Sequence, residues 1–257
     1  MTSLPEQTIF DFSNESFLTT KNDRTYLIGV CGGSGSGKTS VCKEIVRRMS
    51  NKQVSIISQD WFYRPLTKKD KENIEVYNFD DPKALDNKLL LQTLKNLKAG
   101  SSVFCPDYDF VTHSRTKKKQ LISGDVILFE GIMAFHSKEL RDLMDMKVFV
   151  DVDSDVRLAR RIVRDTNERG RTIESVIEQY FKFVKPGYDD FVAPMRKFAD
   201  VILLRGSKNK VGIDLLFQRI KSEIDNRSNI DLKFNTKPNR LNYPSFETFL
   251  ENLNKKK

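Results

Sequence analysis

The chain has 257 residues, 39% of them hydrophobic, enough to bury the core of one large α/β domain or two small ones. Its net charge of +9 comes from 44 basic and 35 acidic residues mixed along the chain, and no motif that reads RNA or DNA accompanies it, so a nucleic-acid partner is not expected. No stretch reaches the ~18 apolar residues of a membrane span, and three cysteines in apolar contexts, Cys31, Cys42 and Cys105, exclude a disulfide framework and predict reduced core thiols in a cytoplasmic protein.

Residues 1–25 are polar with scattered Phe10, Phe12 and Phe17 and no apolar leader core, and read as an N-terminal extension that carries no chemistry. Residues 26–49, YLIGVCGGSGSGKTSVCKEIVRRM, run from an apolar strand through a glycine-rich turn into helix-spaced apolar residues. Gly32, Gly33, Ser34, Gly35, Ser36, Gly37, Lys38, Thr39 and Ser40 hold the pattern G-x-x-x-x-G-K-[ST]. Its glycines let main-chain N–H groups converge on phosphates, with Lys38 as a point charge and Thr39 offering a hydroxyl to Mg²⁺. The predicted cofactors are therefore ATP, or GTP, as phosphate donor, and Mg²⁺.

A second strand over 54–57 ends in SQDWFY, so Asp60 stands where ligands gather in open parallel sheets. Residues 64–81 read as loop, and a helix follows NFDDP through Leu85, Leu89, Leu90, Leu94 and Leu97 to Gly100. Two β-type pieces, 103–105 and 116–122, flank PDYDFVTHSR and predict a hairpin flap bearing Tyr108, Phe110 and His113, a stacking face for a planar heterocycle. DVILF then ends in Glu130, a carboxylate after a buried strand that suits the magnesium side. A further strand over 147–152 leads to a helix over 154–165 with arginines at spacings of three and four. Taken alone this helix is a solvated face laced by pairs such as Asp153–Arg157 and Arg161–Asp165, but its continuation into Glu168-Arg169-Gly170-Arg171 points to a hinged, arginine-rich lid. A helix over 173–183, a fifth strand in DVILLRG and a closing helix over 211–224 complete the domain, and the Asn- and Lys-rich residues 225–257 read as an appended polar tail. His136 has no such company and reads as structural.

The predicted fold is a doubly wound α/β P-loop kinase over residues 26–224, with a mainly parallel five-stranded sheet, a hairpin flap and a helical lid. Transfer of a phosphoryl group to a hydroxyl needs a phosphate clamp, Mg²⁺, a carboxylate to take the proton and positive charge for the transition state. Lys38, Thr39 with Glu130, Asp60 as base or base-and-metal residue, and the lid arginines fill those places.

With these residues in hand the chain resembles the uridine-cytidine kinase family from about 26 to 224, through GGSGSGKTS, SQDWFY, NFDDP, PDYDFVTHSR, LFEGI, RLARRIVRDTNERGRTIESVIEQY, FVKPGYDDFVAP and KFADVILLRG. The resemblance implies ATP-dependent phosphorylation of the 5′-hydroxyl of uridine or cytidine. It makes Asp60 the base, gives Asp80 and Arg161 the ribose hydroxyls, and adds Arg171 and Gln179 to Tyr108, Phe110 and His113 in a pyrimidine pocket. It also places Arg164 and Arg169 as catalytic, phosphate-facing arginines, and implies a homotetramer. The chain departs from the family pattern at Trp61 and Asp81. The alternatives are a phosphoribulokinase-like or pantothenate kinase-like enzyme, or a nucleotide-binding regulator without turnover.

Overall fold

The computed structural model describes residues 25–49 and 54–235; the N-terminal extension and most of the tail lie outside them. Five strands, β1 (Tyr26–Cys31), β2 (Val54–Ser58), β5 (Val126–Gly131), β6 (Met146–Asp151) and β7 (Val201–Leu204), form one sheet in the order β2-β5-β1-β6-β7. All of its ladders are parallel. Burial on both faces explains why β1 and β5 are continuous apolar runs rather than alternating ones: every residue of both is buried. Gly29 in β1 is small because Phe135 and Met144 press on it from one face.

Between β2 and β5 the chain adds α2 (Lys68–Glu72), α3 (Asn87–Lys98) and the antiparallel hairpin β3 (Val103–Asp109) and β4 (Ser114–Ile122). The stretch 64–81, expected as loop, contains α2, whose start is fixed by a capping box: Thr67 accepts from the Asp70 N–H while Asp70 accepts from the Thr67 N–H. Asp86 caps α3 by accepting from Leu89 N–H at 3.2 Å, and also pairs with Arg115 of β4 at 3.3 Å, which ties the hairpin to that helix.

After β5 come a short α4 (Lys138–Leu143), which the apolar periodicity does not announce, and, after β6, α5 (Ser154–Glu168) and α6 (Ile173–Gln179). The helical run then passes through π-helical turns at Tyr180–Val184 and Tyr188–Val192, on either side of α7 (Lys185–Gly187). The last helix, α8 (Lys210–Asn235), extends eleven residues beyond the expected end at Ile224. The chain divides into two compact units at Phe217/Gln218, and the first carries the sheet, the hairpin and α1 to α7, where α1 is Lys38–Arg48. No helix among the described residues is long and apolar enough to cross a membrane. Cys31, Cys42 and Cys105 are free and buried, and burial raises their thiol pKa values, to about 11 for Cys31 and about 12 for Cys105.

Candidate active site

The loop from Gly32 to Gly37 leaves the carboxyl end of the central strand β1, where the connections on its two sides diverge and a crevice opens. Gly35 and Gly37 take φ of +78° and +92°, backbone conformations that L side chains rarely adopt, and this is the local reason the sequence spends glycines here. A Cβ on Gly35 would meet the main-chain carbonyl of Arg157 in α5. The Lys38 ammonium lies folded against the loop, donating to the Gly33 carbonyl at 3.2 Å.

Two carboxylates face this loop. Glu130 is the next-to-last residue of β5 and lies in register with Val30 on one side and Ser58 on the other, so the sheet itself carries it between the loop and the end of β2. Its Oε1 accepts from the Thr39 hydroxyl at 3.0 Å. Burial raises its pKa, with Lys38 and the Thr39 and Ser58 hydroxyls pulling it back and Asp60 adding to the rise. Asp60 sits in a 3-10 turn, Gln59–Phe62, directly after β2. The preceding Gln59 is buried beneath it and accepts from the Met133 N–H at 2.9 Å, with Gly131 packed on the same side chain, so this turn is pinned to the end of β5.

A single cleft of about 680 Å³ joins these groups to the hairpin. Its walls include Ser34, Lys38, Thr39, Ser40, Asp60, Asp80, Tyr108, Phe110, His113, Glu130, Arg161, Arg164, Arg169, Arg171 and Gln179. Of the catalytic and binding residues expected from the sequence, Gly32, Gly33, Gly35, Ser36 and Gly37 do not line it, and they form the loop behind. Thr39 and Glu130 offer the sparse set of hard oxygens that Mg²⁺ accepts when phosphates and water complete its shell. No group of three or more His, Cys, Asp or Glu among the described residues could hold a metal without such help.

The far end of the cleft is aromatic. His113 closes the hairpin turn at φ +48° and stacks on Phe79, with ring centroids 4.9 Å apart and planes 21° from parallel. Tyr63 meets both Phe79 and Tyr108 at 5.4 Å, and Tyr108 meets Phe110 edge-on at 5.3 Å. Burial, helped by Arg171 and Arg169, holds the His113 pKa below the usual imidazole value and favours the neutral ring. The Tyr108 hydroxyl is buried without a hydrogen-bond partner among the described residues, a donor and acceptor left for something else in the cleft. Among the cleft residues that reading the sequence missed are Tyr63 and Phe79. The signal was there, since both sit inside the strings SQDWFY and NFDDP beside the two carboxylates.

Asp80 is held close by Gly187, where an added Cβ would lie 2.9 Å from the Asp80 Cβ. Burial raises its carboxyl pKa, opposed first by Arg161. Arg161 donates to the Ser34 hydroxyl at 3.0 Å and Arg171 to Gln179 Oε1 at 2.6 Å. Arg169 lies over the Phe110 ring, 3.9 Å from its centroid, and burial lowers its pKa to about 10. The arginine helix is therefore no solvated face: Arg157, Arg161 and Asp165 are all buried. The expected Arg161–Asp165 pair forms at 3.4 Å, whereas Arg157 donates instead to the Val152 carbonyl and stacks on Tyr188. His136, read as structural, packs edge-on against Phe191.

The family model described as "Phosphoribulokinase / Uridine kinase family" matches residues 27–212, well over half of the chain. The chain belongs to this family. Within it, Uridine-cytidine kinase B of Dictyostelium discoideum is 49% identical over 210 residues, which cover 81% of this chain and 86% of that protein. Uridine/cytidine kinase UKL1, chloroplastic, of Arabidopsis thaliana is 48% identical over 221 residues, but this family member spans only 46% of that longer relative. Among solved structures, phosphoribulokinase from Rhodobacter spheroides matches with a TM-score of 0.56 and 18% identity over 71% of each chain, a likeness of fold.

Proposed function

We propose that this family member transfers the γ-phosphoryl group of ATP, or GTP, to the 5′-hydroxyl of uridine and cytidine, giving UMP and CMP. The observation that supports the reading most is that one cleft is lined both by Ser34, Lys38, Thr39 and Ser40, at the junction of the glycine loop and its helix, which suits a triphosphate, and by an aromatic, polar end that suits a pyrimidine ribonucleoside. In this reading the loop N–H groups and Lys38 hold the triphosphate in line with the nucleoside. Mg²⁺, held through Thr39 and Glu130 together with phosphate oxygens, would neutralise charge on the phosphates. Asp60 accepts the 5′-hydroxyl proton as the new O–P bond forms and the bond from the γ-phosphorus to the bridging oxygen breaks, leaving ADP from ATP or GDP from GTP.

Asp80 and Arg161 receive the ribose hydroxyls. A deoxyribose would leave half-buried Asp80 or buried Arg161 without its partner, the kind of mismatch that discriminates most strongly. Tyr108, Phe110 and His113, with Tyr63 and Phe79, hold the ring, while Arg171 and Gln179 address its polar edge. Arg164 and Arg169 face the moving phosphoryl group and help to exclude water. The reading extends to a cytoplasmic homo-oligomer, a tetramer by family likeness, and three free buried thiols suit that reducing setting.

The test is ADP release with Mg²⁺-ATP and a panel of uridine, cytidine, deoxyuridine, adenosine, ribulose 5-phosphate and pantothenate. Turnover confined to the pyrimidine ribonucleosides is the expected result. Turnover with a different acceptor keeps the kinase and discards the pocket assignment, and ATP binding without turnover favours the regulator.

A further inference from the structure

Four arginines that line the cleft converge on one carboxylate that does not, Asp165 of α5, whose side chain is completely buried. Its two oxygens divide them. Oδ1 lies 2.8 Å from Arg164 Nε and 3.4 Å from Arg169 Nη1, while Oδ2 lies 3.4 Å from Arg161 Nε and 3.6 Å from Arg171 Nη1. The main-chain carbonyl of the same residue accepts from the N–H groups of Arg169, at 3.3 Å, and Arg171, at 3.1 Å, wrapping the turn around Gly170 at φ +64°. One residue thus fixes both the backbone and the side chains of the turn that carries two of the arginines.

The division follows the chemistry. Arg164 and Arg169 are the pair assigned above to the phosphoryl group, and Arg161 and Arg171 the pair assigned to the nucleoside. The bonding is unequal: the contact to Arg164 is an aligned hydrogen bond, whereas Oδ2 and Arg161 Nε have no aligned partner among the described residues. The nucleoside pair is instead steadied from the cleft side, Arg161 by Ser34 and Arg171 by Gln179. A buried carboxylate in this position is more than a surface ion pair, because without it one buried and three half-buried guanidinium groups would be left crowded and uncompensated.

We propose that Asp165 is a positioning residue that holds the phosphate-side and nucleoside-side arginines in register with each other, so that losing its charge damages turnover and nucleoside capture together. The proposal rests on the phosphotransfer reading above. Asp165→Asn keeps the shape and removes the charge. Assayed well below its melting temperature and normalised to folded protein, it is expected to lower kcat about tenfold or more and to raise the nucleoside KM about threefold or more, in the range of a lost charge-assisted contact. Combined with Arg164→Lys, its effect on kcat is expected to be less than the product of the single effects, and combined with Arg171→Lys the same holds for KM, because each pair shares one contact.

A folded Asp165→Asn with kcat and KM both within about twofold of the parent, or effects that multiply fully in both combinations, overturns the proposal. If Asp165→Asn does not fold, Asp165→Glu, which moves the charge by one methylene, is expected to shift kcat and KM together; a change in melting temperature alone overturns the proposal. The parent is assayed first with the whole acceptor panel. Turnover only with a non-nucleoside acceptor rejects the nucleoside reading while Asp165 is still judged by kcat and KM on that acceptor, and no turnover with any acceptor rejects both.

Discussion

The two ends of the cleft are made of different material. The phosphate end is main chain, a loop whose glycines are fixed by φ and by the closeness of α5, set at the carboxyl end of a central strand buried on both faces. The nucleoside end is side chain, a cluster of rings contributed by the turn after β2, the segment before α3 and the hairpin. A main-chain cradle is indifferent to most side-chain chemistry but intolerant of an added Cβ; a pocket of rings is the reverse. Asp60 stands where the two meet, at the end of β2 with its field reaching Glu130 on one side and Asp80 and Tyr108 on the other.

The sharpest break comes at that junction. Asp60→Asn is expected to lower kcat by about 10²- to 10⁴-fold, the usual contribution of a positioned general base, with little change in the affinity for a non-hydrolysable ATP analogue. Near-normal turnover in the folded variant would remove Asp60 as the base. Next, Gly35→Ala damages the phosphate end alone, since the new methyl group meets the Arg157 carbonyl in a left-handed backbone conformation. Strain and overpacking of this kind weaken binding about tenfold or more. Calorimetric titration with the ATP analogue checks it, and unchanged affinity would show that the loop does not carry the nucleotide.

Phe79→Ala damages the other end. Losing the stack on His113 and the edge contact to Tyr63 is expected to raise the nucleoside KM about three- to tenfold, the worth of an aromatic pair or two, while the KM for Mg²⁺-ATP stays put. A rise in the ATP KM instead would dissolve the distinction between the ends. The smallest effect is on stability. Burial raises the Glu130 pKa above its ordinary 4.5, so the folded protein binds that proton more tightly than the unfolded chain and stability falls as pH climbs through that interval. In the absence of Mg²⁺ and nucleotide, Glu130→Gln should melt a few degrees higher than the parent at neutral pH, at most, and the gap should close in acid. A gap that widens in acid would contradict the sign.

How much of this could be read beforehand followed from how local each cause is. The loop, its strand and its helix were legible because φ values and apolar spacing within 26–49 dictate them, and Asp60 and Glu130 because each lies at the carboxyl end of an apolar strand run. The hairpin was legible from its flanking β-type runs. The short α2 was not, although T-K-K-D carries a capping box, because nothing apolar marks it; nor was α4, which Ser137 caps by accepting from the Leu140 N–H. Asp165 was the least legible. Charges at i,i+4 describe an exposed helix and a buried one equally well, and only packing against the loop and the turn at Gly170 decides between them. Tyr63 and Phe79 stand beside the two carboxylates in SQDWFY and NFDDP, but their meeting with Tyr108 and His113 of the hairpin is a contact between separate segments that neither string expresses.

The two π-helical turns between Tyr180 and Val192 bear on how this family member tolerates changes of chain length. Each residue of an α-helix turns it by about 100° and advances it by about 1.5 Å, whereas a π turn houses one residue more than an α turn and so takes up an extra residue while its two flanks stay in phase. Removing a single residue within Tyr180–Val184 would let that stretch close to ordinary α-helix, with Gly187 still against Asp80 and Tyr188 still beneath the Arg157 guanidinium. Removing one from Ile173–Gln179, which has no such slack, would rotate the downstream helix by roughly 100° and carry both contacts away, although every residue that makes them would still be present.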